Sequence, residues 1–220
     1  MDDHLTYQRF NPHVDVHFLS GVVACYQNIF AEQPWNEWKK CVVCNKKWGS
    51  DDSEEIISLN SIHCDQSLVD FWPEEIVVID LLKEINQEAS SWIVLDQEKV
   101  VGFCWGYPIS PEDLEIKLEL PGLANNIKTY SEDCDKVAYQ DELGLLSEYR
   151  NKGIAKNLVK ARLNDFRDQS LNVGVLRTKT NPPTVTYLWY QKLGYQVIAE
   201  YNDDDQRVIL ANSFDCLHLY

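Results

Sequence analysis

The chain has 220 residues, 45% of them hydrophobic and 25% charged, with 35 acidic against 20 basic side chains and a formal net charge of −15. That length suffices for one domain with a full core, 1–220, and the negative field leaves nothing to displace the counterions of a nucleic acid, so none is expected as a partner. No apolar run approaches a membrane span, and Met1-Asp2-Asp3-His4 lacks a basic region before an apolar one, so a soluble cytoplasmic protein without a membrane partner is expected.

A short strand is expected near Thr6 to Phe10. Phe18, Leu19, Val22, Val23, Tyr26, Ile29 and Phe30 then recur at helical spacing, which predicts an amphipathic helix over about 14–31. An irregular stretch rich in Cys and Trp, 34–72, follows as an insertion. Pro73 with Glu74 and Glu75 reads as a helix start, and Ile76, Ile79, Leu82 and Ile85 carry that helix to about Ala89. Two strands, Ser91 to Leu95 and Val100 to Pro108, flank the polar turn Asp96-Gln97-Glu98-Lys99. Glu112 to Lys128 looks helical with a break at Pro121-Gly122, and a strand runs from about Lys136 to Leu146. Ile154, Leu158, Arg162 and Phe166 mark one face of the next helix. A strand from Val173 to Lys179 and a short helix follow. A final hairpin, Gln196 to Tyr201 and Arg207 to Ala211, turns at Asn202-Asp203-Asp204-Asp205. This order predicts an α/β fold with a partly antiparallel sheet.

Seven cysteines, an odd number without a secretory signal, do not read as a disulfide framework. Cys25, Cys104, Cys134 and Cys216 stand singly and serve as small hydrophobes. In the insertion, Cys41-Val42-Val43-Cys44 precedes His63-Cys64, and the candidate set Cys41, Cys44, His63 and Cys64 meets the ligand count of a structural zinc site. Ser61 stands where a second Cys-x-x-Cys would begin, and adjacent His63 and Cys64 do not easily reach one ion. A metal-free knuckle and a redox pair therefore stay open as alternatives.

The run Leu145-Leu146-Ser147-Glu148-Tyr149-Arg150-Asn151-Lys152-Gly153-Ile154-Ala155-Lys156 carries an apolar strand into an Arg-x-x-Gly-x-Ala turn and a helix. First-turn amides without internal partners, on the positive end of the macrodipole, form a ready pyrophosphate site. Further on, Asn181-Pro182-Pro183-Thr184 leads into Tyr190-Gln191-Lys192-Leu193-Gly194-Tyr195, a short helix with Pro in its first turn and Gly past its end.

These two motifs, in this order, resemble the GNAT superfamily of N-acetyltransferases over roughly Ser90 to Ser213. Ser147 stands at the usual proline and Ala155 at the commoner second glycine. The resemblance implies a mixed, largely antiparallel central sheet, flanked by helices and splayed at a bulge. It further implies acetyl-CoA as cosubstrate, its pantetheine along Leu145 and Leu146 and its pyrophosphate on Arg150, Asn151, Lys152, Gly153, Ile154 and Ala155, with Asn181 contacting pantetheine or acceptor. Tyr190 matches the family's usual proton donor to the leaving sulfur. Glu142 stands where many relatives place a carboxylate acting on the amine, with Asp141 as its rival. The resemblance implies direct attack by a primary amine of a small molecule or peptide, with the insertion recognising the acceptor. A non-catalytic acyl-CoA sensor or interaction module on the same scaffold is the alternative, and a homodimer is left open.

Overall fold

The structure is a computed structural model and describes residues 4–59, 61–130, 135–180, 184–202 and 206–214. Asn181, Cys134 and Cys216 lie outside the described residues, as do Pro182, Pro183 and the tip of the expected acidic turn. Backbone contacts divide the chain into two compact units. The first comprises residues 1–84, 93–103 and 144–155, the second 85–92, 104–143 and 156–220.

In the first unit, strand β1 (Leu5–Arg9) precedes helix α1 (Val16–Ala31). The expected periodicity is realised: Val22, Val23, Cys25, Tyr26, Ile29 and Phe30 are buried along one face. The insertion is not irregular. It holds short strands β2 (Lys39–Lys40), β3 (Lys47–Trp48), β4 (Ile62–His63), β5 (Gln66–Ser67) and β6 (Val69–Asp70), and a helix α2 (Ser53–Ser58). β2 pairs antiparallel with both β3 and β6 around a small core of Cys41, Trp48 and Ile56. Helix α3 (Glu74–Glu84) ends five residues before its expected limit. Asn86 explains this, since its Oδ1 accepts the amide of Glu88 at 2.9 Å and offers the backbone a turn in place of another helical bond.

Strands β7 (Ser90–Asp96), β8 (Lys99–Ile109) and β9 (Val137–Leu145) run through both units. Within the first, Gly102 and Gly144 hold close approaches. A Cβ on Gly144 would lie 2.7 Å from Phe103 and 2.9 Å from Ile29, and one on Gly102 would lie 3.0 Å from the Gly144 carbonyl.

The second unit holds α4 (Pro111–Leu118) and α5 (Leu123–Tyr130), which split the expected 112–128 helix where Gly122 takes φ +89°. Ser110 caps α4, accepting the Asp113 amide at 3.1 Å, with Pro111 in the first turn. Then come α6 (Ile154–Asp168, entering from the first unit), β10 (Val173–Lys179), α7 (Val185–Lys192), β11 (Gln196–Glu200) and β12 (Arg207–Ser213). Thr184 caps α7, its hydroxyl accepting the Tyr187 amide at 3.0 Å, so the helix opens at Val185 behind a threonine cap. Alternation along the strands separates two cores. Val173, Val175, Ile209 and Ala211 pack with Leu114, Leu118, Leu123 and Ile127. Leu176, Val208 and Leu210 pack with Val159, Leu163, Phe166 and Tyr190.

The strand order of the main sheet is β1-β7-β8-β9-β10-β12-β11. β10 pairs antiparallel with β12 over its full length, from Val173↔Ser213 to Lys179↔Arg207. Its parallel pairing with β9 covers only Gly174↔Ala138 and Val175↔Tyr139, while β9 runs on to Leu145 and β10 to Lys179. The sheet is mixed and mostly antiparallel, as expected. Among the described residues, no helix is long and apolar enough to cross a membrane.

Candidate active site

β9 ends with Leu145 and Leu146 buried, 9% and 8% exposed, and the Leu146 amide donates to the Val101 carbonyl at 3.0 Å. A single 3-10 turn, Ser147–Tyr149, takes the place of the family proline. Beyond it, Arg150, Asn151, Lys152 and Gly153 are exposed, Ile154 is buried, and α6 begins. Asn151 and Gly153 adopt left-handed conformations, φ +62° and +80°, and a Cβ on Gly153 would meet nothing within 4 Å. This exposed turn leads into the N-terminus of α6, where first-turn amides make no bond within the helix.

Arg150 is engaged on two sides. Its Nε donates to the Leu145 carbonyl at 3.1 Å and its Nη2 to Glu32 at 2.8 Å, which ties the turn to the strand end and to α1. Lys152 stands with its ammonium 5.3 Å from the Tyr149 ring.

The Tyr190 hydroxyl and the backbone carbonyl of Glu142 are linked by a residue that the motifs do not single out. Arg162 sits on the apolar stripe of α6 at 1% exposure. Its Nη1 donates to the carbonyls of Trp105 and Glu142 at 2.8 and 2.7 Å. Its Nη2 donates to Gln140 Oε1 and the Tyr190 hydroxyl, both at 3.0 Å. The Tyr190 hydroxyl in turn donates to Gln140 Oε1 at 3.2 Å, and Gln140 Nε2 donates to the Tyr195 hydroxyl at 2.6 Å. Tyr190 is 2% exposed, so its hydroxyl lies inside this net rather than at an open surface as the resemblance implies. Burial pushes its pKa above the ordinary phenol value, while the Arg162 charge acts the other way. Among the described residues, buried Arg162 Nε has no hydrogen-bond partner. An arginine on an otherwise apolar helical face was the available signal in the sequence. Gln140 gave none.

Asp141, the rival carboxylate, is already engaged: it accepts from the Tyr107 hydroxyl at 2.9 Å and pairs with Lys117 at 3.3 Å. Glu142 is half-buried.

The first unit contains a cavity of about 640 Å³. Trp38 and Trp72 wall it, and Glu32, Glu37, Asp70 and Glu148 line it with Lys99, four carboxylates against one ammonium. Each of these carboxylates has a cationic partner: Glu148 pairs with the lining Lys99 at 3.3 Å, while the partners of Glu32, Glu37 and Asp70 (Arg150, Lys47 and Lys39) are not among the lining residues. Leu146, at the end of the pantetheine segment that the resemblance implies, also borders the cavity.

The candidate metal residues converge. One ligand atom from each of Cys41, Cys44, His63 and Cys64 lies within 4.8 Å of all the others. Neighbours His63 and Cys64, which the sequence does not expect to reach one ion easily, both contribute to this group. Cys64 and Asp65 form a two-residue turn with φ +51° and +58°, closing the β4–β5 hairpin. That turn swings the Cys64 sulfur to 3.2 Å from His63 Nδ1.

A sequence model of the acetyltransferase (GNAT) family matches residues 57–195. A search of curated protein sequences finds no match. Among solved structures, PaiA N-acetyltransferase of Thermoplasma acidophilum, in complex with coenzyme A, is similar with a TM-score of 0.56 at 13% identity, over 96% of this chain and 99% of that one. NAA60 of Arabidopsis thaliana, in complex with a bisubstrate analogue, is similar with a TM-score of 0.55 at 14% identity, over 96% and 99%. A mosquito arylalkylamine N-acetyltransferase-like protein gives 0.57 at 12%, over 96% and 100%.

Proposed function

The chain belongs to the GNAT acetyltransferase family, and from that premise we propose that it moves an acetyl group from acetyl-CoA to a primary amine of a cationic small molecule. The exposed turn at Asn151 to Gly153 and the α6 N-terminus at Ile154 and Ala155 support the pyrophosphate assignment, and Leu145 and Leu146 are proposed to take the pantetheine. Asn181 is retained as a contact to either substrate.

In the proposed step the amine nitrogen attacks the thioester carbon, the C–S bond breaks, and the amine proton passes to Glu142 directly or through water. The departing thiolate takes a proton from Tyr190, and exchange with solvent restores both residues. Raised by burial, the Tyr190 hydroxyl stays protonated at neutral pH, which a general acid requires. Gln140 and Arg162 hold it in one orientation.

The observation that carries the acceptor class is the cavity of about 640 Å³ with its tryptophan walls and excess of carboxylates. Its volume suits a small ligand. Aromatic faces and carboxylates both favour a cation over a neutral or anionic group.

The experiment is an amine panel scored by release of the CoA thiol. Diamines and polyamines should exceed neutral monoamines in kcat/KM by about tenfold or more, the equivalent of about 1.4 kcal/mol. A preference for anionic acceptors would remove the cationic assignment. Binding of acetyl-CoA with no thiol release on any amine would make the protein an acyl-CoA sensor. Tyr190→Phe tests the donor: kcat should fall about 100-fold or more with acetyl-CoA affinity retained, and an unchanged pH profile would clear Tyr190 of that role.

A further inference from the structure

The Cys41, Cys44, His63 and Cys64 cluster includes none of the residues proposed for acetyl transfer, and we propose that it is a structural zinc site that braces the insertion. The site itself does not rest on the acetyltransferase reading.

Ligand identity comes first. Three thiols and one imidazole are a closed, soft donor set of the kind that holds Zn²⁺ with no position left for substrate. Distance comes second. A tetrahedral ion with Zn–S of about 2.3 Å and Zn–N of about 2.0 Å sets nitrogen and sulfur about 3.5 Å apart and two sulfurs about 3.8 Å apart. His63 Nδ1 lies 3.5 Å from the Cys44 sulfur and 3.2 Å from that of Cys64. The whole set falls within 4.8 Å, so closing on an ion asks for a contraction of about 1 Å at the widest pair.

Local backbone builds this arrangement from two separate turns. In the first, the Asn45 amide donates to the Cys41 carbonyl and the Cys41 amide to the Lys46 carbonyl, both at 3.0 Å, with Asn45 left-handed at φ +58°. The second is the Cys64-Asp65 hairpin turn. Two turns far apart in sequence that aim four metal-ligating atoms at one point are hard to account for by packing, because Cys44 and Cys64 are exposed and contribute nothing to the small core. Binding would deprotonate the thiols and release those protons to solvent.

The consequence is mechanical. Cys41 belongs to the insertion core with Trp48, and the Trp38 amide donates to the Trp48 carbonyl at 3.0 Å. Lys39 in β2 faces Asp70 in β6 across their pairing, and Trp38 and Asp70 both line the cavity. An ion that pins the knuckle therefore fixes one wall of that cavity.

The test uses the full chain. Native mass spectrometry and elemental analysis should find one zinc per chain, lost in Cys44→Ser and in Cys64→Ser but kept in Val43→Ser, which alters an exposed non-ligand. Cobalt replacement should give an intense thiolate-to-metal charge-transfer band with the visible bands of a tetrahedral field. That measurement on the unmutated chain stands even where a serine variant does not fold. Absence of metal with no uptake of Co²⁺, a Cys41–Cys44 disulfide in the isolated protein, or metal retained by both serine variants would overturn the site. Chelation should raise the KM for amine severalfold while leaving acetyl-CoA affinity unchanged. This last readout does rest on the proposed acceptor cavity, and an unmoved KM would refute the bracing of the cavity wall.

Discussion

Replacing Arg162 with Met is the sharpest test of the buried net. The guanidinium is 1% exposed, donates four hydrogen bonds and has no ion pair among the described residues. Hydrogen bonds from a charged donor contribute about 1.5–3 kcal/mol each in net terms, but the contributions are not additive and taking the cation out of water costs several kcal/mol. Asp165, one turn along α6, offsets part of that cost at longer range. The two residues act with opposite sign on the Cys104 thiol. Methionine keeps the apolar stem and removes both the charge and its desolvation cost. Two strand carbonyls lose a donor, while Tyr190 and Gln140 keep their own bond at 3.2 Å. The balance is a loss of about 2–4 kcal/mol, read by urea unfolding. For a chain of this size that lowers Tm by roughly 4–16 °C. Removing the positive field should also move Tyr190 further above its ordinary value, because Arg162 is the group that now draws it down. Ultraviolet titration of the folded protein would show its tyrosinate forming at higher pH than in the parent. A variant at least as stable as the parent, with an unmoved tyrosine titration, would refute the idea that the buried charge organises Tyr190.

Other outcomes follow from single atoms. Gly106→Ala places a Cβ 2.3 Å from the Tyr139 carbonyl and 3.1 Å from Gln140 Cα, both backbone, so β8 must shift, with a loss of about 1–3 kcal/mol measurable by thermal unfolding. An alanine tolerated there without change would mean the strands are not in that register. Gly153→Ala meets open space but carries a side chain at φ +80°, at a strain of about 1–2 kcal/mol. Its effect should appear as weaker acetyl-CoA binding in calorimetry with kcat little changed, and unaltered affinity would remove this turn from the pyrophosphate site. Burial pushes the Cys25 thiol up to about 12 and the Cys104 thiol up to about 11, so each forms thiolate only as pH climbs toward those values. Alkylation of the native protein at neutral pH should therefore spare both, and peptide mapping that finds either labelled early would contradict their burial.

The order of elements was largely legible because each rests on a local pattern. The α1 stripe, the β7–β8 hairpin and the Val173–Lys179 strand follow from periodicity and β-branched composition, and the Pro121-Gly122 break from backbone chemistry. Errors fell where a side chain captured a backbone group. Asn86 stopped α3 early, and Thr184 took the capping position that proline alone suggested. The insertion read as irregular because strands of two residues carry no periodicity, and their pairing is set by contacts thirty residues apart.

The elements that carry the candidate site were legible, and their wiring was not. Motif spacing found the turn at Gly153 and the helix bearing Tyr190, since both depend on a glycine or a cap at a fixed position. It could not say which charges are already engaged. Arg150 belongs to the motif, yet its guanidinium is held by Glu32 and the Leu145 carbonyl. In a chain of net charge −15, the motif cation is thus neutralised locally. In the proposed site, main-chain amides and the α6 macrodipole would then act with exposed Lys152 to attract a diphosphate. Arg162 shows the converse. It occupies a position that helical spacing assigns to the core, and only the facing strand carbonyls, Gln140 and Tyr190 make a buried cation tolerable there. A residue whose partners all come from other elements leaves no pattern of its own in the sequence, which is why the hydrogen-bonded support of a site emerges only once the strands are in register.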